Sequence, residues 1–212
     1  MRYAGMPMGM WILFENSFRA RLCDVLGYGK EEASLITRKA KQRYKEIVKD
    51  LPEFEKRDRF KMNILSCAMY SSFCLNMEKL PSIEKLSEYY EKAMMTKPMM
   101  IFCKKMGKRK FTENDMKQME ETARFKAADR NPYSWNMDLY PYEDGSGYEA
   151  RFSKCGICTL MRELGLSEAI PAMCHLDYSM AEAGGVCHFI RDHTLASGGP
   201  YCDCGYKKRV RL

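Results

Sequence analysis

Apolar residues in this chain follow a helical repeat up to about residue 130 and then alternate with polar residues. Between Glu31 and Leu51 they recur at steps of three and four, which places them on one face of a helix. Similar repeats predict helices over 59–80, 82–93, 99–106 and 112–128, with proline at several of the boundaries. The segment 59–80 is apolar on more than one side, so we expect it to be the central buried helix.

After residue 130 the pattern predicts strands. Residues 135–139 and 148–152 alternate in polarity, and the sequence EDGSG at 143–147 between them is typical of a turn. Two more strands are predicted over 186–193 and 201–209, joined by the turn ASGG at 196–199, with helices at 159–164 and 169–183. The predicted fold class is α+β: an N-terminal helical region followed by a small antiparallel sheet with inserted helices.

We expect a single domain over 1–212. In this interpretation 1–130 is mainly helical, and 131–212 contains the sheet and a cysteine-rich active-site region.

Charge and hydropathy exclude several functions. The net charge of +7 is spread along the helical part and ends in the basic tail KKRVRL at 207–212, whereas nucleic-acid binding requires charge on one face beside aromatic residues. The N-terminal apolar segment is interrupted at Pro7 and ends at Glu15, without a cleavage site. No segment approaches the roughly 18 apolar residues of a membrane span. We therefore expect a cytoplasmic protein that binds an acidic small molecule but neither nucleic acid nor membrane, and that can form a homo-oligomer.

Cysteine is concentrated near the end of the chain, where six of the ten occur: Cys155, Cys158, Cys174, Cys187, Cys202 and Cys204. In a reducing cytosol such clusters more often indicate metal binding or catalysis than disulfides. The three histidines, His175, His188 and His193, fall in the same region. Together with Arg191 they supply the imidazoles and the cation that can activate a thiol.

Two other interpretations stay open. A zinc ion would be bound by two pairs of thiols, Cys155 with Cys158 and Cys202 with Cys204. His175 or His188 would be the alternative ligand in place of one thiol. The second pair has a one-residue gap, whereas zinc ribbons usually repeat a two-residue gap. Alternatively, most of these thiols are small buried hydrophobic side chains.

The dipeptide Cys202-Asp203 poses a geometric question. In a regular strand Cys202 and Cys204 point to one face and Asp203 points to the other. Either the strand is bulged at this point, or Cys202 and Asp203 have different roles.

Several motifs occur in a fixed order: RFSKC at 151–155, ELGL at 163–166, CHLD at 174–177, RDHTLASG at 191–198 and CD at 202–203. In this order they resemble the L-2-amino-thiazoline-4-carboxylic acid hydrolase family, over about residues 135–208. That family has a cysteine before an ELG helix, then C-x-x-D and T-x-x-x-G-x-x-x-C-D-F motifs. Cys204 departs from the pattern, because the family usually has an aromatic residue there.

The resemblance implies a metabolic hydrolase of bacterial type that attacks the C=N carbon of a thiazoline ring and opens it to an N-carbamoyl amino acid. Cys174 or Cys202 would be the nucleophile, and Asp177 or Asp203 would transfer the proton. Arg191 would bind the substrate carboxylate in two hydrogen bonds. The other expected substrate-binding positions are Cys155, His188, His193, Thr194 and Gly198, with the backbone of 197–199.

We expect no cofactor, with zinc as the alternative described above. The competing hypothesis for function is a non-catalytic sensor domain that binds a small molecule or zinc. Thiol alkylation separates the two, because loss of turnover with retained ligand binding favours catalysis.

Overall fold

The computed structural model describes residues 6–56 and 58–209. The helices are α1 (Met6–Asp24), α2 (Lys30–Asp50), α3 (Lys61–Cys74), α4 (Ile83–Met94), α5 (Lys97–Gly107), α6 (Glu113–Ala127), α7 (Gly156–Glu163) and α8 (Ile170–Gly184). The strands are β1 (Asp138–Pro141), β2 (Gly147–Phe152), β3 (Cys187–Ile190) and β4 (Cys202–Lys208). The α+β prediction is therefore confirmed. Residues 1–5 of the N-terminal segment and 210–212 of the basic tail lie outside the described residues.

Helix α3 and strand β3 are markedly shorter in the structure than predicted, and β1 spans Asp138–Pro141 rather than 135–139. Helix α3 ends at Cys74 rather than Leu80, because the Asn76 side chain donates to the Ser72 carbonyl at 2.8 Å and caps the last turn. Strand β3 ends at Ile190, because the main chain of the next residues turns to donate to the Asp203 carboxylate. The local pattern of apolar and polar residues does not predict either of these hydrogen bonds.

The chain forms two compact units, within the described parts of these ranges. The first comprises 1–94, 131–133 and 156–173, and the second comprises 95–130, 134–155 and 174–212. In the first unit α3 is buried from Ile64 to Cys74, as expected for a central helix. Phe73 of this helix stacks on Trp11 and on Phe18 of α1, at ring-centroid distances of 5.6 and 4.9 Å. None of the helices in the described part of the chain is both long and apolar enough to cross a membrane.

The second unit contains an antiparallel sheet with strand order β1-β2-β4-β3. Directly paired residues share a face, so the register defines the two sides. Tyr206 pairs with Tyr148 and Phe189, and Cys204 pairs with Ala150, so these residues form one side, which we call the inner face. The opposite side, the outer face, carries Asp203 paired with Arg151, and Lys207 paired with His188.

Lys110 ties the segment after α5 to this sheet. Its Nζ donates to the Tyr148 hydroxyl at 2.8 Å and lies 3.4 Å from the centroid of the Tyr206 ring. The cation thus contacts two aromatic residues of the inner face, an arrangement that is favourable where water is excluded.

Gly107, the last residue of α5, packs directly on the backbone of Gly184 at the end of α8, and a Cβ at this position would overlap the Gly184 carbonyl. We predict that Gly107→Ala lowers the free energy of unfolding by about 1–3 kcal/mol, because the two backbones must separate. Urea unfolding measures the change. Gly9→Ala in α1 is the matched control, since nothing lies within 4 Å of its Cβ, and it should be neutral or stabilising. Equal effects at the two positions would contradict the close approach.

Candidate active site

The guanidinium of Arg191, just after β3, is the centre of a polar cluster on the inner face. Its Nη2 donates to Asp177 Oδ2 at 2.5 Å and to Cys204 Sγ at 2.9 Å, and its Nη1 donates to the Cys174 carbonyl at 3.0 Å. The guanidinium carbon lies 4.6 Å from the centroid of the Phe189 ring. Only 6% of the Arg191 side chain is exposed, so this cation is held by protein acceptors rather than by water.

Local structure explains why these acceptors meet at Arg191. Cys174 and Asp177 are one turn apart on α8, so both lie on the same side of that helix. Strand β4 pairs with β2 in continuous register from Cys202 to Lys207, which turns both thiols of the strand to the inner face. The sheet therefore presents Cys202 and Cys204 on the same side as the Arg191 contact with Cys204.

Asp203 lies on the other side of the strand and holds the loop that follows β3. Its Oδ2 accepts the main-chain N–H of Asp192 at 2.8 Å, and its Oδ1 accepts that of His193 at 2.6 Å. Because β4 pairs with β2 in continuous register, the strand is not bulged, and the side chains of Cys202 and Asp203 point to opposite faces of the sheet. The carboxylate of Asp203 is engaged with backbone, away from the Arg191 cluster.

Thr194 and Gly198 shape the same loop. The Thr194 hydroxyl accepts the Ser197 N–H at 3.0 Å and starts a single turn of 3₁₀ helix, Leu195–Ser197. Gly198 ends that turn with φ 82°, a left-handed conformation that favours glycine. The turn directs the Leu195 N–H at Cys202 Sγ, 3.2 Å away. Thr194 and Gly198 therefore support the position of Cys202.

Burial dominates the electrostatics of the thiols. It raises the pKa of Cys174 far above its ordinary value, raises the pKa of Cys204 to about 12, and raises the pKa of Cys202. The Arg191 cation opposes each of these shifts, and the Leu195 N–H opposes the shift of Cys202. The three thiols are consequently protonated at neutral pH, so a nucleophilic role requires a nearby base.

Asp177 is a carboxylate whose charge acts on all three of these thiols. Its negative charge contributes to the raised pKa of Cys174, Cys202 and Cys204, which puts its carboxylate within electrostatic reach of all three thiols. Its side chain is 42% exposed, in contrast to Arg191, so it is open to substrate and water. The charge of Cys155, a partly buried residue after β2, also affects Cys174 and Cys202.

The three histidines lie at exposed positions. His188 is on the outer face of β3, and His193 sets its ring edge-on to Tyr201, with 5.4 Å between centroids. His175 is exposed on α8, with its ring 5.9 Å from that of Tyr178. Their closeness in sequence therefore does not place them with Arg191 on the inner face.

The predicted zinc ligands are distributed over both units. Cys155, Cys202 and Cys204 belong to the second unit, whereas Cys158 is a buried residue of α7 in the first. Within residues 6–56 and 58–209, no group of three or more His, Cys, Asp or Glu side chains is arranged to hold a metal ion.

The sequence motifs do not reveal that Cys204 is a hydrogen-bond partner of Arg191. Nor do they reveal the position of Tyr206. The centroid of its ring lies 5.2 Å from that of Phe189 and 5.5 Å from that of Tyr148, and burial raises the pKa of Tyr206 well above the usual range. The sequence does indicate that these residues lie together, since the alternation of side chains along a strand places 202, 204 and 206 on one face.

A family model described as L-2-amino-thiazoline-4-carboxylic acid hydrolase matches residues 57–206. The match confirms the resemblance seen in the motifs and extends it into the helical region. No curated protein and no solved structure matches the chain significantly.

We predict that Asp203→Asn loosens the loop after β3, because an amide nitrogen cannot accept a main-chain N–H. Losing one hydrogen bond to a charged acceptor lowers the free energy of unfolding by about 1.5–3 kcal/mol. Amide hydrogens of Asp192 and His193 should exchange faster with deuterium. Asp138→Asn is the matched control, an exposed carboxylate in register with the same Arg151. Unchanged exchange in Asp203→Asn would show that the carboxylate does not hold the loop.

Proposed function

Since the chain belongs to the L-2-amino-thiazoline-4-carboxylic acid hydrolase family, we propose that it opens a small cyclic isothiourea or amidine, such as a 2-amino-thiazoline-4-carboxylate. In this reaction water is added at the C=N carbon, the ring C–S bond breaks, and the product is an N-carbamoyl amino acid. The observation that carries the proposal is the cluster of Asp177, Arg191, Cys174, Cys202 and Cys204, which combines a base, a cation and thiols.

Of the two nucleophile candidates, Cys202 is the better supported. Its Sγ accepts the Leu195 N–H at 3.2 Å, a bond that strengthens as the sulfur becomes a thiolate. For Cys174, the contact with Arg191 is made by its main-chain carbonyl, and burial raises the pKa of its thiol still further. Cys202 is also the cysteine of the T-x-x-x-G-x-x-x-C-D motif, whose threonine and glycine shape the loop that supplies this donor.

The proposed chemistry has two displacement steps at one carbon. Asp177 takes the proton of the Cys202 thiol as the sulfur attacks the C=N carbon. The ring C–S bond then breaks, and the ring sulfur leaves with that proton, which gives an S-linked isothiourea on Cys202. Water then attacks the same carbon, and Asp177 passes one of its protons to the departing Cys202 sulfur. The other water proton moves to the former ring nitrogen as the urea carbonyl forms. One water is consumed.

Arg191 also has a donor to offer a substrate. Its Nε is buried and has no hydrogen-bond partner among the described residues, while its two terminal nitrogens are engaged. An unsatisfied buried donor is costly, and a substrate carboxylate would satisfy it. Such an anion would sit beside Asp177, which suits a substrate that carries its carboxylate next to the reacting ring.

We predict that the protein converts 2-amino-thiazoline-4-carboxylate to N-carbamoyl-cysteine, measured as new thiol and by chromatography of the product. Cys202→Ser should abolish turnover, and Asp177→Asn should lower kcat/KM roughly 10²–10⁴-fold because proton transfer is lost. Cys187→Ser is the matched control, a buried thiol at the far end of the same inner face. It should retain activity.

Three outcomes would contradict this assignment. Full activity in Cys202→Ser would exclude that thiol as nucleophile. Activity that requires near-stoichiometric metal and disappears on chelation would favour a metal-bound water instead. Ligand binding without turnover, unchanged by alkylation, would favour the sensor domain.

The pH dependence tests the role of Asp177. If its carboxylate takes the thiol proton during attack, kcat/KM should be nearly flat between about pH 7 and 9. In Asp177→Asn only the pre-formed thiolate can react. Because burial raises the pKa of Cys202, log kcat/KM of that variant should rise by about one per pH unit over the same range. The same alkaline rise in the unaltered protein would show that Asp177 is not the base.

A further inference from the structure

Helix α5 packs through a narrow side and exposes apolar residues on the rest of its surface. Its buried residues are Cys103 and Gly107, and Gly107 rests on the backbone of Gly184. On the outward side Ile101 is 68% exposed and Phe102 is 50% exposed, with Met100 and Met106 also exposed. Residues of this size are not usually left in water together on one short helix.

Basic residues surround this apolar group. Lys97, Lys104, Lys105 and Lys108 stand four before, three after, four after and seven after Ile101, so they share its face of the helix. All four are exposed, as is Arg109, and none of these five side chains forms an ion pair within the described residues. The sequence from 97 to 112 contains no acidic residue. The surface formed by Lys97, Met100, Ile101, Phe102, Lys104, Lys105, Met106, Lys108 and Arg109 is called the α5 surface below.

We propose that the α5 surface binds the face of an anionic phospholipid bilayer. The helix would lie flat, with Ile101 and Phe102 at the boundary of the acyl chains and the lysine ammonium groups at the phosphates. Lysine suits this position because its aliphatic stem can lie along apolar surface while the charge stays in water. At about 16 Å in length the helix lies on the membrane rather than crossing it.

The mixture of residue types favours a bilayer over other anionic partners. Phe102 is the single aromatic residue of the α5 surface, whereas Met100, Ile101 and Met106 offer no stacking surface to nucleic-acid bases. The centre of a protein interface is usually depleted of lysine, whereas here four lysines surround Ile101. This proposal replaces the sequence-based expectation of no membrane contact, and it is independent of the proposed reaction.

Co-sedimentation with vesicles tests the proposal directly. The protein should pellet with vesicles of phosphatidylcholine mixed with phosphatidylglycerol and remain in solution with phosphatidylcholine alone. The double variant Lys104→Ser/Lys105→Ser should bind the mixed vesicles roughly 30-fold more weakly, because each lysine near an anionic surface contributes about fivefold. Ile101→Ser/Phe102→Ser should weaken binding about 10–100-fold while leaving the charge unchanged.

Two matched controls distinguish binding through the α5 surface from nonspecific binding to vesicles. Ile12→Ser/Leu13→Ser removes apolar side chains of similar exposure from α1, where they are 69% and 52% exposed. Lys39→Ser/Lys45→Ser removes two exposed lysines from α2. Both should bind as the unaltered protein does, and thermal unfolding should be unchanged in all four variants because the altered side chains lie at the surface.

Insertion is measured with Phe102→Trp, whose emission should shift to shorter wavelength on adding the mixed vesicles. Failure of the unaltered protein to bind mixed vesicles would overturn the proposal. So would full binding by Ile101→Ser/Phe102→Ser, which would show that the surface acts through charge alone, as toward an acidic protein or a nucleic acid. Equal losses in the α1 and α2 controls would also overturn it.

Discussion

A guanidinium removed from water needs acceptors around it, since an unpaired buried charge costs several kcal/mol. The acceptors of Arg191 come from two elements, the Asp177 carboxylate and Cys174 carbonyl of α8 and the Cys204 sulfur of β4. The residue itself stands where β3 ends and the loop begins. One side chain therefore fixes α8, the β3–β4 loop and the inner face of β4 relative to one another, and the proposed reaction depends on that arrangement.

Burial and the Arg191 cation have opposite effects on the pKa of the nearby thiols, and burial has the larger effect. Proximity to Arg191 favours thiolates, yet burial raises the pKa of Cys174, Cys202 and Cys204 more than the cation lowers it. Thiols in such a state are protonated and react slowly with oxidants, because the thiolate is the reactive form. In the proposed reaction, activation therefore comes from a base that is open to substrate. Asp177 combines contact with Arg191 and partial exposure, so it fits this requirement.

The periodicity of the sequence predicts helices α2 to α8 but not α1, and it predicts which residues of β4 share a face, because both follow from side-chain direction alone. It does not predict the role of Asp203, since that depends on the backbone of a loop ten residues earlier. The clustering of the histidines in sequence does not predict their positions in the fold, for a related reason. They are neighbours in sequence, but strand alternation turns His188 outward, and His175 and His193 fall at exposed positions of a helix and a loop. The motif T-x-x-x-G-x-x-x-C-D predicts that its residues act together. The fold is needed to see that Thr194 and Gly198 shape the loop and that this loop positions the Cys202 thiol.

Cys204 is the position at which the chain departs from the family pattern, and its surroundings suggest how the departure is accommodated. An aromatic side chain there could stack on Arg191 but could not accept its Nη2 hydrogen. In this chain the stacking partner is Phe189 of β3, 4.6 Å from the guanidinium, and the thiol accepts the hydrogen bond instead. A thiol is much smaller than an aromatic ring, so the exchange reduces the volume occupied beside Arg191. We infer that Phe189 and Cys204 together keep the cation in place, and that the small thiol leaves space beside it, which is where a difference in substrate from other members of the family would arise.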